Sequence, residues 1–565
     1  MEVPVRPWTR RTLGLLVGAL ILVGFAIRLY AIGRQSINAD QAVVGLMAEQ
    51  ILKGHLSAFY WGQNYGGGEP YLVAGMFAIF GGSTLSLGLT PVLLDLIAAL
   101  LLWRIGRRLF GPWVGICAAL LFWIWPEVYI WQSTIEYGFR WFVLDLGLAA
   151  LLFALRCLDE RASRRWWEFA LLGLFLGAGW WGSPEIMYFA LPIVGFLIYR
   201  MVRDRLRLRI RDVSIAMFSA VLGAGVWIWT NVHSHLASLR AGVQPDNSVL
   251  SHFKTLVEHA LPLLLGIQLR ASGVWLFGVA TGSFVTAIAI LAAIALLVIL
   301  LRRGEAVLLV FFCLLAPIVY VISPFTWYWS DGRYGLFLAP ATSLLVIVGV
   351  REGARYLPRI AQRYARLRRV TLGERQLTAG AVFVGLLLTF WAGTQIAPYH
   401  PNGVASTGSA SWTSWRSDPE AGFHVVANRL EADGIHDVYA GYWVAYPLMF
   451  AANSTLTASD ISYVRSPALL DSVARSSAPA WLLLDPSKYR LGVALTGVSL
   501  MDPSCAAKSD RCLTSHELTH YLVRLHIGYR TFKVSPFVAI VPDRKISPAA
   551  ISRWYHLRPA YRLPH

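Results

Sequence analysis

Residues 275–301 read WLFGVATGSFVTAIAILAAIALLVILL, a run without one charged side chain, and Arg302 and Arg303 close it. As a helix rising 1.5 Å per residue it exceeds the roughly 30 Å of a bilayer's hydrocarbon core. Similar apolar segments recur near 12–32, 84–103, 112–131, 139–155, 166–182, 184–199, 213–231, 305–323, 334–350 and 378–396, so about eleven transmembrane helices are expected. The whole chain agrees: of 565 residues 56% are hydrophobic and only 15% charged, with a mean hydropathy of +0.53. Soluble domains carry about 25% charge. Five cysteines, 27 prolines and 48 glycines exclude a disulfide scaffold, collagen and a disordered chain. What remains is a polytopic α-helical membrane protein.

The net charge of +18 invites a nucleic-acid partner, and its distribution rejects one. With a cytoplasmic N-terminus, the inner segments hold 26 of the 50 Lys and Arg, while the outer loops are poor in both. That asymmetry is the positive-inside rule, so the basic residues record topology in a cell inner (plasma) membrane and contact with the bilayer. The first apolar segment follows Arg6, Arg10 and Arg11 and shows no A-x-A site before Ile37; it reads as an anchor.

Eleven spans divide the chain into a membrane domain, 1–396, and an extracytoplasmic tail, 397–565. In the tail the apolar residues alternate: Val438–Tyr446 (VYAGYWVAY), Ala480–Leu484 and Phe537–Val541 read as strands and Gly422–Leu430 as a helix. A C-terminal α/β domain is expected, joined through the Gly-, Ser- and Thr-rich piece 403–417. Cys505 and Cys512 are spaced to form a disulfide in an oxidising compartment.

Chemistry is expected where ionisable groups meet the membrane boundary at a cost. On the outer side these are Asp40, Glu69, Glu127, Glu136, Glu185, Asp331 and Arg333, with Asp95 and Asp145 nearer mid-span as structural partners for buried Arg or amide groups. Asp40 leads an amphipathic run, Gln41 to Lys53, suited to a helix lying in the interface. It reads either as that helix's N-cap or as a catalytic carboxylate. Glu69-Pro70 opens a second apolar piece, Tyr71–Phe80, too short to span and suited to an interfacial or re-entrant helix. His233 and His235 have no close carboxylate in sequence and form no complete metal set.

Asn38-Ala39-Asp40-Gln41-Ala42, Gly45-Leu46-Met47-Ala48 and Ile51-Leu52-Lys53-Gly54 resemble the first outer loop of GT-C glycosyltransferases, the superfamily of protein O-mannosyltransferases and of aminoarabinose and galacturonic acid transferases. Trp61-Gly62-Gln63-Asn64-Tyr65-Gly66-Gly67 and Glu69-Pro70-Tyr71 resemble the rest of that loop. Ser133–Glu136, Trp181-Gly182-Ser183-Pro184, Asn231, Leu261-Pro262, Leu265-Gly266, Arg333-Tyr334 and Pro340 follow in the family's order, and Ala440–Tyr446 is similar to a segment of some members. The resemblance implies an enzyme that transfers a sugar, with inversion, from a polyprenyl phosphate donor to a hydroxyl of a glycan, lipid or protein on the extracytoplasmic face. It makes Asp40 the general base, accepting the hydroxyl proton. The family's Asp-Glu pair is Asp40-Gln41 here, so the second acid is missing. Glu69 matches an acid before a proline, without the intervening Lys of the aminoarabinose transferases, and Glu136 an acid that contacts acceptor or sugar. Phosphate neutralisation is left to Arg333, whose fork suits a phosphate, with Tyr334 beside it. The resemblance fixes no cofactor and leaves a divalent metal open. A transporter or flippase of lipid-linked saccharides, or an inactive assembly subunit, shares the basic loops; polar residues gathered on one face favour the enzyme.

Overall fold

A computed structural model describes residues 10–33, 37–157, 165–205, 208–240, 248–268, 275, 278–323, 326, 332–363, 419–460, 464–484, 513, 515–534 and 537–554. The expected span 378–396, the linker 403–417, Asp331 and the Cys505–Cys512 pair lie outside the described residues. The chain divides into two compact units. One comprises Met1–Ala31, Gly88–Ile135 and Phe139–Pro398; the other Ile32–Leu87, Glu136–Gly138 and Tyr399–His565.

The first unit is helical: α1 (Arg10–Ile32), then past the first loop, which holds α2 (Ala39–Leu52) and α3 (Glu69–Phe80), α4 (Thr84–Phe110), α5 (Pro112–Ile124), α6 (Glu127–Gln132), α7 (Arg140–Cys157), α8 (Trp166–Gly182), α9 (Met187–Arg203), α10 (Ile210–Gly223), α11 (Gly225–His233), α12 (Gly278–Leu300), α13 (Val307–Ile322) and α14 (Ala339–Arg363). Among the described residues six helical segments are long and apolar enough to cross a bilayer: Gly14–Ile32, Thr84–Phe110, Pro184–Arg203, Gly278–Leu300, Gly304–Ile322 and Arg333–Ala354. The protein is a multi-pass membrane protein. The expected span 213–231 is a pair of helices, α10 and α11, bent by 57° at their junction. The expected span 112–131 is likewise broken: α5 stops at Ile124, and α6 starts only after Pro126, whose ring cannot continue a helix.

Two devices hold these helices together without a hydrophobic driving force between them. A Cβ on Gly173 or Gly177 of α8 would lie 1.9 and 2.0 Å from the carbonyl oxygens of Ala216 and Ala220, so the bare backbones are what let α8 and α10 touch. The other device is polar. Arg28, fully buried on α1, donates to Asp95 Oδ2 at 2.5 Å, Ser133 Oγ at 2.7 Å, and the carbonyls of Trp123 and Gly24 at 2.8 and 3.0 Å. Asp95 is thus the structural partner of a buried arginine. At the helix ends, Arg108–Glu305, Arg156–Glu168 and Arg303–Glu352 pair at 3.2, 2.6 and 2.7 Å and tie basic turns to neighbouring helices.

In the second unit the first-loop helices α2 and α3 pack with a C-terminal α/β fold. It runs α15 (Pro419–Ala432), β1 (Asp437–Ala440), α16 (Tyr442–Ala451), β2 (Thr457–Ser459), α17 (Pro467–Arg475), β3 (Ala480–Leu484), α18 (Ser515–Arg524), β4 (Tyr529–Val534), β5 (Phe537–Pro542) and α19 (Pro548–Trp554). The sheet order is β2-β1-β3-β5-β4. β1 pairs in parallel with both β2 and β3 (Val438 opposite Ala458 and Ala480), and β5 pairs antiparallel with both β3 and β4 (Ala539 opposite Leu482 and Phe532). β5 is buried at every position, as an interior strand covered on both faces should be.

Two expectations fail here. Val438–Tyr446 is not one strand: β1 ends at Ala440, and Tyr442 opens a helix buried at Tyr442 and from Val444 through Ala451, with Trp443 half-buried. A helix covered on all sides shows no polar face, so its apolar run is indistinguishable from a buried strand. Nor is α2 one-sided. It is buried from Gln41 through Ala48, with α3 and α16 against it, and a Cβ on Gly45 would meet the Phe450 ring at 2.4 Å. α3 does keep an apolar exposed side, with Leu72, Ile79 and Phe80 open.

Candidate active site

Asp40 is not the cap of α2. Asn38 fills that role, and its side chain accepts from Gln41 N at 2.9 Å while Asn38 N donates to Gln41 Oε1 at 3.1 Å. This reciprocal box is what a Gln three residues after the cap provides. The Gln that replaces the family's second acid is therefore engaged in starting the helix, and the Asp40 carboxylate is released for other partners.

Those partners come from the far end of the chain. Tyr442, first residue of α16, donates its Oη to Asp40 Oδ1 at 2.5 Å. Arg465, in the loop before α17, reaches the same oxygen through Nη2 at 3.3 Å and donates through Nε to Tyr442 Oη at 3.3 Å. Its backbone N–H donates to Tyr446 Oη at 2.9 Å, which sets the loop against α16. The guanidinium lies 5.2 Å from the Tyr60 ring centroid and 5.4 Å from that of Tyr442, close enough for cation–π attraction. Tyr60 in turn donates Oη to the Asp40 carbonyl at 3.0 Å. Burial, and then the Asp40 charge beside it, push the Tyr442 phenol well above its usual range, so it remains a donor. The Asp40 side chain keeps 19% of its surface exposed against 9% for Arg465: the carboxylate is held, yet reachable.

Glu69 and Glu136 meet as a second cluster in the same unit. Glu69 begins α3, with Pro70 in the first turn, and is fully buried. Glu136 is fully buried too, and its Oε1 accepts from Gly138 N at 2.6 Å. Burial, followed by the charge and hydrogen bond of Glu69, pushes the Glu136 carboxyl well above the carboxylate range, against the pull of the Gly138 N–H. Burial beside a second acid disfavours ionising both.

Arg333 and Tyr334 belong to the other unit. Gly332, at φ +73°, turns the backbone into a 3₁₀ segment, Arg333–Leu338. Tyr334 is buried under Arg140, whose guanidinium carbon lies 5.0 Å from its ring centroid. Arg140 Nε faces Glu185 Oε1 at 3.8 Å, and Ser183 caps the turn that carries Glu185 by accepting from Glu185 N at 3.2 Å. Arg333, half-buried, adds its charge to the field at Glu185. The five sequence candidates thus fall into two sets, Asp40, Glu69 and Glu136 in one unit and Arg333 and Tyr334 in the other. Arg465 carried no signal in sequence, and Tyr442 was visible only inside the matched run Ala440–Tyr446. Among the described residues no three His, Cys, Asp or Glu side chains gather as a metal set.

The fold has solved counterparts. Crystal structures of ArnT from Cupriavidus metallidurans, apo and bound to undecaprenyl phosphate, match this chain with TM-scores of 0.60 and 0.59 at 12% identity, over 93% of this chain and 97% of theirs. The chain thus has a membrane fold of the GT-C type. More narrowly, residues 68–229 match the family model of dolichyl-phosphate-mannose-protein mannosyltransferase. A fainter likeness, with a TM-score of 0.46 at 13% identity over 86% of this chain and 70% of that one, is to the Archaeoglobus fulgidus oligosaccharyltransferase in complex with zinc and sulfate. No curated protein sequence matches the chain.

Proposed function

We propose that the protein transfers a sugar from a polyprenyl phosphate to a hydroxyl of a glycan, lipid or protein at the extracytoplasmic face of the plasma membrane, with inversion at the anomeric carbon. The observation that carries this reading is the tethering of Asp40: Tyr442 and Arg465 both bind Oδ1, which leaves Oδ2 to take the acceptor's proton. As that proton leaves, the acceptor oxygen bonds to the anomeric carbon, and the bond from that carbon to the phosphate oxygen breaks with its electron pair. Polyprenyl phosphate departs as the leaving group. Arg333 is proposed to hold the phosphate and Tyr334 to line the donor site, while Glu69 and Glu136 contact acceptor or sugar. The undecaprenyl phosphate bound to ArnT supports a donor of this chemical class.

The test is incubation of the purified chain with candidate polyprenyl phosphate sugars, followed by assay of released polyprenyl phosphate. Asp40→Asn should cut release about 10²–10⁴-fold, the scale of general base catalysis, with folding unchanged because Asn38 caps α2. Near-normal release by that variant would move the base elsewhere.

A further inference from the structure

The far end of α4 carries a stripe with two chemistries. Ile97, Leu100, Leu101, Arg104, Arg107 and Arg108 recur every three or four residues, which puts them on one face of the helix. With Leu152 and Arg156 of α7 and Glu168 of α8, that face lines a cleft of about 710 Å³. The charges in it do not cancel. Arg156 is matched by Glu168 and Arg108 by Glu305. Arg104 and Arg107 pair with no carboxylate among the described residues; both are exposed, and the Trp103 ring lies 5.1 and 5.9 Å from their guanidinium carbons.

A soluble anion would use only the basic end and leave Ile97 and Leu100, 45% and 51% exposed, without a role. From Ile97 to Arg107 the helix rises about 15 Å, the hydrocarbon depth of one leaflet. An occupant with a phosphate head and an acyl tail matches both halves at their actual spacing. We propose that this cleft binds an anionic phospholipid of the leaflet at the basic end of α4. The forked guanidiniums of Arg104 and Arg107 hold its phosphate, and one chain lies along Ile97, Leu100, Leu101 and Leu152. The site is independent of the transfer reaction and of which leaflet is cytoplasmic.

Native mass spectrometry of the full-length protein, delipidated and titrated with phosphatidylglycerol, cardiolipin or phosphatidylcholine, tests it. The anionic lipids should bind at least tenfold more tightly than phosphatidylcholine, and millimolar inorganic phosphate should not displace them. The double variant Arg104→Gln/Arg107→Gln should lose that preference, whereas Arg302→Gln, at another basic helix end, should retain it. Leu152→Trp, which fills the apolar half and leaves the charge, should also expel the lipid; it decides the matter if the arginine variant does not fold. Equal affinity for all three lipids, equal loss in Arg302→Gln, or retention in Leu152→Trp would overturn the proposal. Displacement by phosphate would make this a site for a soluble anion and overturn it as well.

Discussion

A carboxylate that two donors hold by one oxygen loses rotational freedom about its last bond, and the cost of releasing it can be measured. Tyr442→Phe removes only the Oη that donates to Asp40 at 2.5 Å. A base misplaced by about 1 Å costs on the order of 10²-fold, so kcat should fall by about that factor with the KM for the donor near wild type. A large KM change with kcat intact would mean that Tyr442 binds substrate rather than positioning the base. Glu136 yields a prediction of different form. Its carboxyl is raised above the ordinary value of 4.5, so the folded state binds the proton more tightly than the unfolded one. The stability this contributes is complete below about pH 4.5 and is lost as pH rises through the elevated value. Glu136→Gln, a neutral isostere, should flatten the decline of the melting temperature as pH rises above about 4.5. Identical slopes for the two proteins would refute the raised value.

At the scale of elements, the same mutation should have opposite signs at two glycines. Gly177→Ala sets a methyl 2.0 Å from the Ala220 carbonyl oxygen, and overpacking against backbone costs about 1–3 kcal/mol. Gly75, within α3, has nothing within 4 Å of an added Cβ, so Gly75→Ala should stabilise by about 0.5–1 kcal/mol. Thermal unfolding in detergent reads both. How far elements were legible in sequence follows from how locally they are encoded. The charge-free run 275–301 contains α12, and Ala480–Leu484 is a strand with those same limits, because both patterns depend only on neighbouring residues. α16 was misread as strand because burial on every side erases the periodicity that separates helix from strand. α2 was expected to show one wet face, yet its cover comes from α16, some 400 residues away, which no local pattern announces. The Asp40–Arg465 contact was illegible for the same reason: it joins the first turn of α2 to a loop 425 residues further along the chain.

Over the whole molecule, the proposed topology sets the basic segments in the cytoplasm by the positive-inside rule and the C-terminal fold on the opposite side. A reporter active only outside the cytoplasm, fused after His565, should therefore be active; activity of a cytoplasmic reporter instead would invert the arrangement and move Asp40 with it. Tyr442 is 402 residues beyond Asp40, and this separation bears on how the site comes into being. At about 5–20 residues per second, roughly 20–80 s of synthesis separate Asp40 from the residue that anchors it. During that interval the Asp40 carboxylate has no tether, whatever else has folded. On the proposed role of Asp40, the chain therefore has an assembly clock: catalytic competence arrives last, once the distal fold is made and packed on the first loop, and a half-built chain in the membrane would not consume the proposed activated donor.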